Sequence, residues 1–194
     1  MSRVLYLDCF SGISGDMVLG ALLDAGLSLD ELTGALGSLA VSGYSVRADR
    51  VLRAGVSATK FVVEDRHKHT GHTHGAHQHQ HRTLAEIFAL IDRSALSATG
   101  RDRARALFGR LAEAESAVHH MPMERVHLHE VGALDSIIDI VGAVFAMEWV
   151  GADRVVCSPL NVGGGTVESA HGVLPVPAPA TVRLLGSAPI YSGA

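Results

Sequence analysis

The sequence predicts a mixed fold, α/β or α+β, in which helices cover a layered mixed sheet. Three observations predict it. Short runs rich in Val, Leu and Tyr alternate with longer segments whose apolar residues recur at helical spacing. Gly is frequent, at 21 of 194 residues, and falls largely between those runs as turn punctuation. Apolar residues make up 47% of the chain, enough to bury the core of one domain.

Taken in order, Arg3 to Cys9 reads as a short buried strand, followed by a Gly/Ser turn from Phe10 to Gly15. Asp16 to Ala25 reads as a helix that packs through Met17, Leu19, Leu22 and Leu23 and stops at Gly26. Ser28 and Glu31 have the spacing of a capping box, which starts a second helix running to about Leu39. Tyr44 to Leu52 and Ser57 to Val63 are expected to be antiparallel strands turned near Ala54-Gly55. Helices follow over Leu84 to Asp92 and Ala98 to Val118, the second with Leu107, Leu111 and Ala114 on one face. Arg125 to Glu130 reads as extended, Leu134 to Val150 as a strong helix and Arg154 to Ser158 as a buried strand. Asn161 to Ser169 reads as a Gly-interrupted strand or hairpin, with a last helix over Ala180 to Leu185. A strand begins at Ala188 and the chain stops three residues after Tyr191, which fits one part of a longer protein.

The totals exclude several classes. A formal charge of −4 with no Lys/Arg cluster argues against nucleic acid and anionic membranes as partners. Two distant cysteines, Cys9 and Cys157, form neither a disulfide framework nor a CxxC site. No signal peptide precedes the first strand, and no apolar run reaches roughly 18 residues. The expectation is a soluble cytoplasmic protein.

Four stretches carry chemistry. From His67 to His81 stand seven of the twelve histidines: His67, His69, His72, His74, His77, His79 and His81. Imidazole is a common ligand for Ni, Cu, Zn and Co, so a flexible loop over 66–82 is expected to collect a transition metal. The second stretch runs from Asp8 through Phe10-Ser11-Gly12-Ile13-Ser14-Gly15 to Asp16. A strand ending at an acid, a Gly-rich turn and a helix start offer free N–H groups to a phosphate, and carboxylates to a divalent cation that carries one. Ser14 and Asp16 would equally serve as ordinary helix capping.

The third stretch is Val126 to Asp139, with His127, His129, Glu130, Asp135 and Asp139. If residues 125–130 are extended, His127 and His129 share a face. Asp135 and Asp139 share a helix face with Gly142 and Ala146, and like charges at that spacing repel unless a cation lies between them. In the blander reading Asp135 caps its helix and the histidines are surface residues. The fourth is Asn161-Val162-Gly163-Gly164-Gly165-Thr166, then His171-Gly172 and a Pro-rich segment. The glycines allow a backbone to approach a ligand closely, but the Lys and following helix of a P-loop are missing.

Taken together, the motifs Asp8–Met17, Val126–Asp139 and His171–Thr181 resemble the nickel insertion proteins of the nickel-pincer cofactor pathway, the LarC family of lactate racemase maturation. The resemblance covers essentially the whole chain. It implies a lyase-type cyclometallase that inserts nickel into pyridinium-3,5-bisthiocarboxylic acid mononucleotide, with CTP hydrolysis and Mg or Mn ions. Family members are about twice this length, and their C-terminal half is associated with CTP. This chain resembles the N-terminal half, a single metal-handling domain, so CTP is expected to depend on the missing half, a partner of this one. Assembly with further copies of the chain is also expected.

Within that frame the residues fall into three sets. Asp8, Asp16, His127, His129 and Glu130 are candidates for the chemistry, the last three as acceptors of the ring proton displaced by nickel. Asp135, Asp139 and the seven loop histidines are candidate metal ligands. Ser14, Gly15, Gly163, Gly164 and His171 are candidates for holding the mononucleotide. Two other functions fit parts of the sequence: a nickel store or metallochaperone resting on the loop, and a metal-dependent phosphohydrolase resting on the aspartates and His127/His129.

Overall fold

Parallel strands need a crossover between them, and here the crossover contains most of the protein. β1 (Val4–Leu7) pairs in parallel with β4 (Arg154–Cys157), in the register Leu5 to Val155 and Leu7 to Cys157. Between them run α1 (Gly15–Asp24), α2 (Leu29–Gly37), the hairpin β2 (Tyr44–Arg53) and β3 (Val56–Asp65), α3 (Leu84–Arg93), α4 (Ala98–His119) and α5 (Leu134–Val150). After β4 come β5 (Leu160–Asn161), β6 (Thr166–Ser169), β7 (Gly172–Pro175), α6 (Pro179–Leu185) and β8 (Ile190–Tyr191). This is a computed structural model, and it describes residues 2–65, 82–126, 134–169 and 172–193.

The mixed α/β class is as the sequence predicts. Among the described residues the strands form four two-stranded sheets, of which β1–β4 and β5–β8 are parallel and β2–β3 and β6–β7 antiparallel. The hairpin turn falls where Ala54-Gly55 predicted it. Both residues have positive φ, 48° and 81°, which suits the right-handed twist of the flanking strands.

One apolar core joins the helices to the hairpin. Leu19 and Leu22 of α1, Leu32 and Leu36 of α2, Phe61 of β3, Ile87 and Ile91 of α3, Phe108 of α4 and Ile137, Ile138 and Val141 of α5 are all buried in it. Helix α1 lies between β3 and α5 because small residues let it approach both. A Cβ on Gly20 would overlap the carbonyl oxygen of Thr59, and one on Gly142 would lie 3.1 Å from Leu19 Cδ1. No described helix is long and apolar enough to cross a membrane.

Several expectations need correction. β1 and β4 are not buried: Val4 and Tyr6 are more than half exposed and Val155 nearly so, which leaves these side chains largely uncovered among the described residues. Met17 is exposed, since α1 turns Leu19 and Leu22 inward. On α4 the buried stripe is Ala104, Phe108 and Ala112, which leaves Leu107 outside. Residues Met123–Arg125 form a 3-10 turn, so Arg125 is not extended, while Val126 is; residues 127–130 lie outside the described residues. The Asn161–Ser169 stretch divides between β5 and β6, and the glycines lie in the loop between them.

The capping box is also elsewhere. Ser28 accepts from Asp30 N–H at 3.2 Å, one position short of the expected partner. The complete box opens α3, where Glu86 N–H donates to Thr83 Oγ1 at 3.3 Å and Thr83 N–H donates to Glu86 Oε2 at 2.7 Å. Accepting that backbone N–H first, and the Thr83 hydroxyl second, holds the Glu86 carboxyl below its ordinary range. Thr83→Ala is expected to lower the melting temperature by about 2–4 °C, read by circular dichroism.

Candidate functional site

Two parallel strands that end side by side deliver the segments leaving them to one place, and ligand sites in parallel α/β layers gather at such carboxyl ends. β1 leads into the Asp8–Gly15 turn and β4 into Ser158–Asn161. The two are stitched together. Ser158 N–H donates to Leu7 O at 3.0 Å, and Cys9 N–H donates to Ser158 Oγ at 2.8 Å. Asn161 N–H donates to Cys9 O at 3.3 Å, while its Nδ2 donates to Phe10 O at 2.8 Å. Its Oδ1 accepts from Gly163 N–H and Gly193 N–H, each at 3.2 Å. The Tyr191 hydroxyl adds a bond to Phe10 O at 3.3 Å. Gly12, at φ +81°, lets the turn close against Asn161.

This turn aims the start of α1 at α5. Ser14 occupies the capping position, but ordinary capping does not form. Its hydroxyl donates to the Asp16 carboxylate and accepts no helix N–H. The Asp16 carboxylate takes Met17 N–H at 2.9 Å, and Asp16 N–H is capped by Asp139, which reaches across from α5. The carboxylate fits because residue 15 is Gly. A Cβ there would lie 2.5 Å from Asp139 Cβ and 2.8 Å from its Oδ2.

Asp139 is half-buried, with its pKa pushed up to about 6. Burial is the main cause; the Asp16 and Asp135 carboxylates add to it, and the Asp16 N–H opposes it. Its Oδ1 is buried without a hydrogen-bond partner among the described residues. Such an oxygen costs free energy unless something binds it, and the neighbouring negative charges favour a cation. Asp135 stands exposed in the first turn of α5 and accepts Ser136 N–H at 2.8 Å.

The expected site residues thus separate. The structure brings Ser14, Gly15, Asp16 and Asp139 together, with Asp135 near enough to be felt electrostatically. Asp8 stands exposed at the end of β1. The Gly163 N–H is already given to Asn161, and Gly164 lies on the exposed side of its loop. The loop histidines His67 to His81, together with His127, His129, Glu130 and His171, lie outside the described residues. Among the described residues, no three His, Cys, Asp or Glu side chains converge to hold a metal ion, so these carboxylates offer only part of a coordination shell. The buried Cys9 thiol is pushed up by burial and then by Cys157, which keeps it protonated.

Sequence reasoning missed the stitch made by Ser158, Asn161 and Tyr191. One signal was available: an Asn two residues before a Gly commonly bonds that backbone N–H, as Asn161 does to Gly163.

A family model described as "Nickel insertion protein" matches residues 5–194. A pyridinium-3,5-bisthiocarboxylic acid mononucleotide nickel insertion protein of Geobacillus kaustophilus is 45% identical over 191 residues, covering 98% of this chain and 46% of that protein. The protein of the same name from Desulfitobacterium hafniense is 45% identical over 190 residues, covering 98% of this chain and 45% of its own. The chain therefore spans about half the length of these relatives. No solved structure matches.

Proposed function

Because the chain belongs to the nickel insertion protein family, we propose that it takes part in inserting nickel into pyridinium-3,5-bisthiocarboxylic acid mononucleotide. Nickel is here a substrate. Two thiocarboxylate sulfurs replace water on the ion, and a ring carbon exchanges its proton for the metal. One proton leaves and the metal keeps its oxidation state. The reaction is that of a lyase-type cyclometallase.

The observation that carries this reading is Asp139, whose buried Oδ1 lacks a partner beside Asp16. That oxygen is the foothold for the incoming ion, and Asp135 supplies attraction at the rim. His127, His129 and Glu130, just before α5 in sequence, complete the shell or take the ring proton. Ser14 and the Gly-rich turns receive the mononucleotide, with Asp8 at the mouth. The histidines from His67 to His81 gather nickel and hand it on. CTP and its Mg or Mn are assigned to the half of the relatives that this chain does not span.

Mass spectrometry of the product formed from nickel(II), CTP and the mononucleotide tests the proposal. Deleting residues 67–81 is expected to preserve insertion at high nickel and to impair it when nickel is scarce. Loss of insertion at every nickel concentration would make the loop the centre of activity and overturn the assignment to Asp139.

A further inference from the structure

Phe10 is an aromatic ring held out of the core by a fixed backbone. The chain has five phenylalanines. Phe61 and Phe108 are buried, and Phe88 and Phe145 pack against the same core. Phe10 is 67% exposed. Its exposure does not come from a loose segment. The carbonyl of Phe10 accepts from both Asn161 Nδ2 and the Tyr191 hydroxyl, and the Cys9 N–H is fixed by Ser158. Two more apolar side chains, Ile13 and Met17, are 44% and 47% exposed and bracket Ser14 and Asp16 in sequence. Apolar side chains thus accompany the Asp16 carboxylate on one short stretch of chain.

We propose that Phe10 is the platform on which the planar, cationic pyridinium ring of the substrate stacks, with Ile13 and Met17 as its apolar border. This rests on the nickel-insertion reading. Two features of the chemistry favour a pyridinium over another occupant. The ring is flat and carries a positive charge, which an aromatic face attracts. The Asp16 carboxylate, six residues on from Phe10 in the chain, and Asp139, which caps the Asp16 N–H, favour the same sign. Stacking would hold the ring while its thiocarboxylates turn toward a metal beside Asp139. Asn161 is then a positioning residue, acting on the substrate through the Phe10 backbone.

Calorimetry with the nickel-free mononucleotide tests the platform in three forms of the protein: unsubstituted, Phe10→Leu and Phe10→Trp. Phe10→Leu is expected to weaken binding about tenfold, and Phe10→Trp to keep it. Melting temperatures should stay within about 2 °C of one another, because the ring supports no core. Binding unchanged by Phe10→Leu overturns the platform alone and leaves the nickel-insertion reading standing. Unchanged binding with loss of self-association in sedimentation would assign the ring to a contact between copies. No binding by the unsubstituted protein overturns both readings.

Discussion

Gly15→Ala is expected to destabilise the protein by about 2 kcal/mol and to cut nickel insertion at least tenfold. The new Cβ would sit 2.5 Å from Asp139 Cβ, a separation that side chains do not tolerate, so α1 or α5 must shift. Any shift parts Asp139 from the Asp16 N–H and opens the space at its Oδ1. The loss contrasts with Gly34→Ala on α2, where nothing lies within 4 Å of the added methyl. That change should stabilise the helix by roughly 0.5–1 kcal/mol and leave insertion alone. Urea unfolding and product mass spectrometry read both variants. Equal behaviour of the two alanines would mean that the α1–α5 contact does not constrain the site.

Asp139→Asn is expected to abolish insertion, by a hundredfold or more, while making the metal-free protein more stable above pH 6. The folded protein holds the Asp139 proton up to about 6, against 3.8 for the free group. A carboxyl whose folded pKa is raised costs stability once it ionises. The cost is absent below the unfolded value, grows between about 4 and 6, and is complete above. Asn resembles the protonated acid and escapes it. Partial exposure screens the effect, so the gain should amount to a few degrees in melting temperature at pH 7.5 and vanish near pH 4. Thermal unfolding in chelator at both pH values measures it. A variant that is less stable at pH 7.5 would show that the carboxylate is held by a partner rather than strained by burial.

How much of this was legible in the sequence depended on the range of the interactions. The hairpin and α5 could be read because their signals are local: left-handed turn residues at Ala54-Gly55, and a long apolar segment from Leu134 to Val150. The Ser14–Asp16 motif was visible too, but its capping partner was not. Asp139 lies far along the chain, and nothing near Gly15 announces that a carboxylate will press against it. Exposure was misjudged for the same reason. Val4, Tyr6 and Val155 have strand character, and strand character does not reveal whether another layer covers them. The histidines stand out by composition, whereas Asp139 stands out only through its contacts with Gly15 and Asp16.

The pairing of β1 with β4 also orders events in time. Arg3 N–H meets the Asp153 carboxylate across 150 positions of chain. At ordinary rates of synthesis, roughly 5–20 residues per second, the first strand waits about 8–30 s for its neighbour to be made. The helices and the hairpin between them can condense in that interval, since their contacts are nearer in sequence. Until then the backbone N–H and C=O groups of β1 lack their β4 partner, an open edge that invites chaperones or mispairing. The turn that leads from β1 into α1 is thereby left unset until Ser158 and Asn161 have been made to hold it.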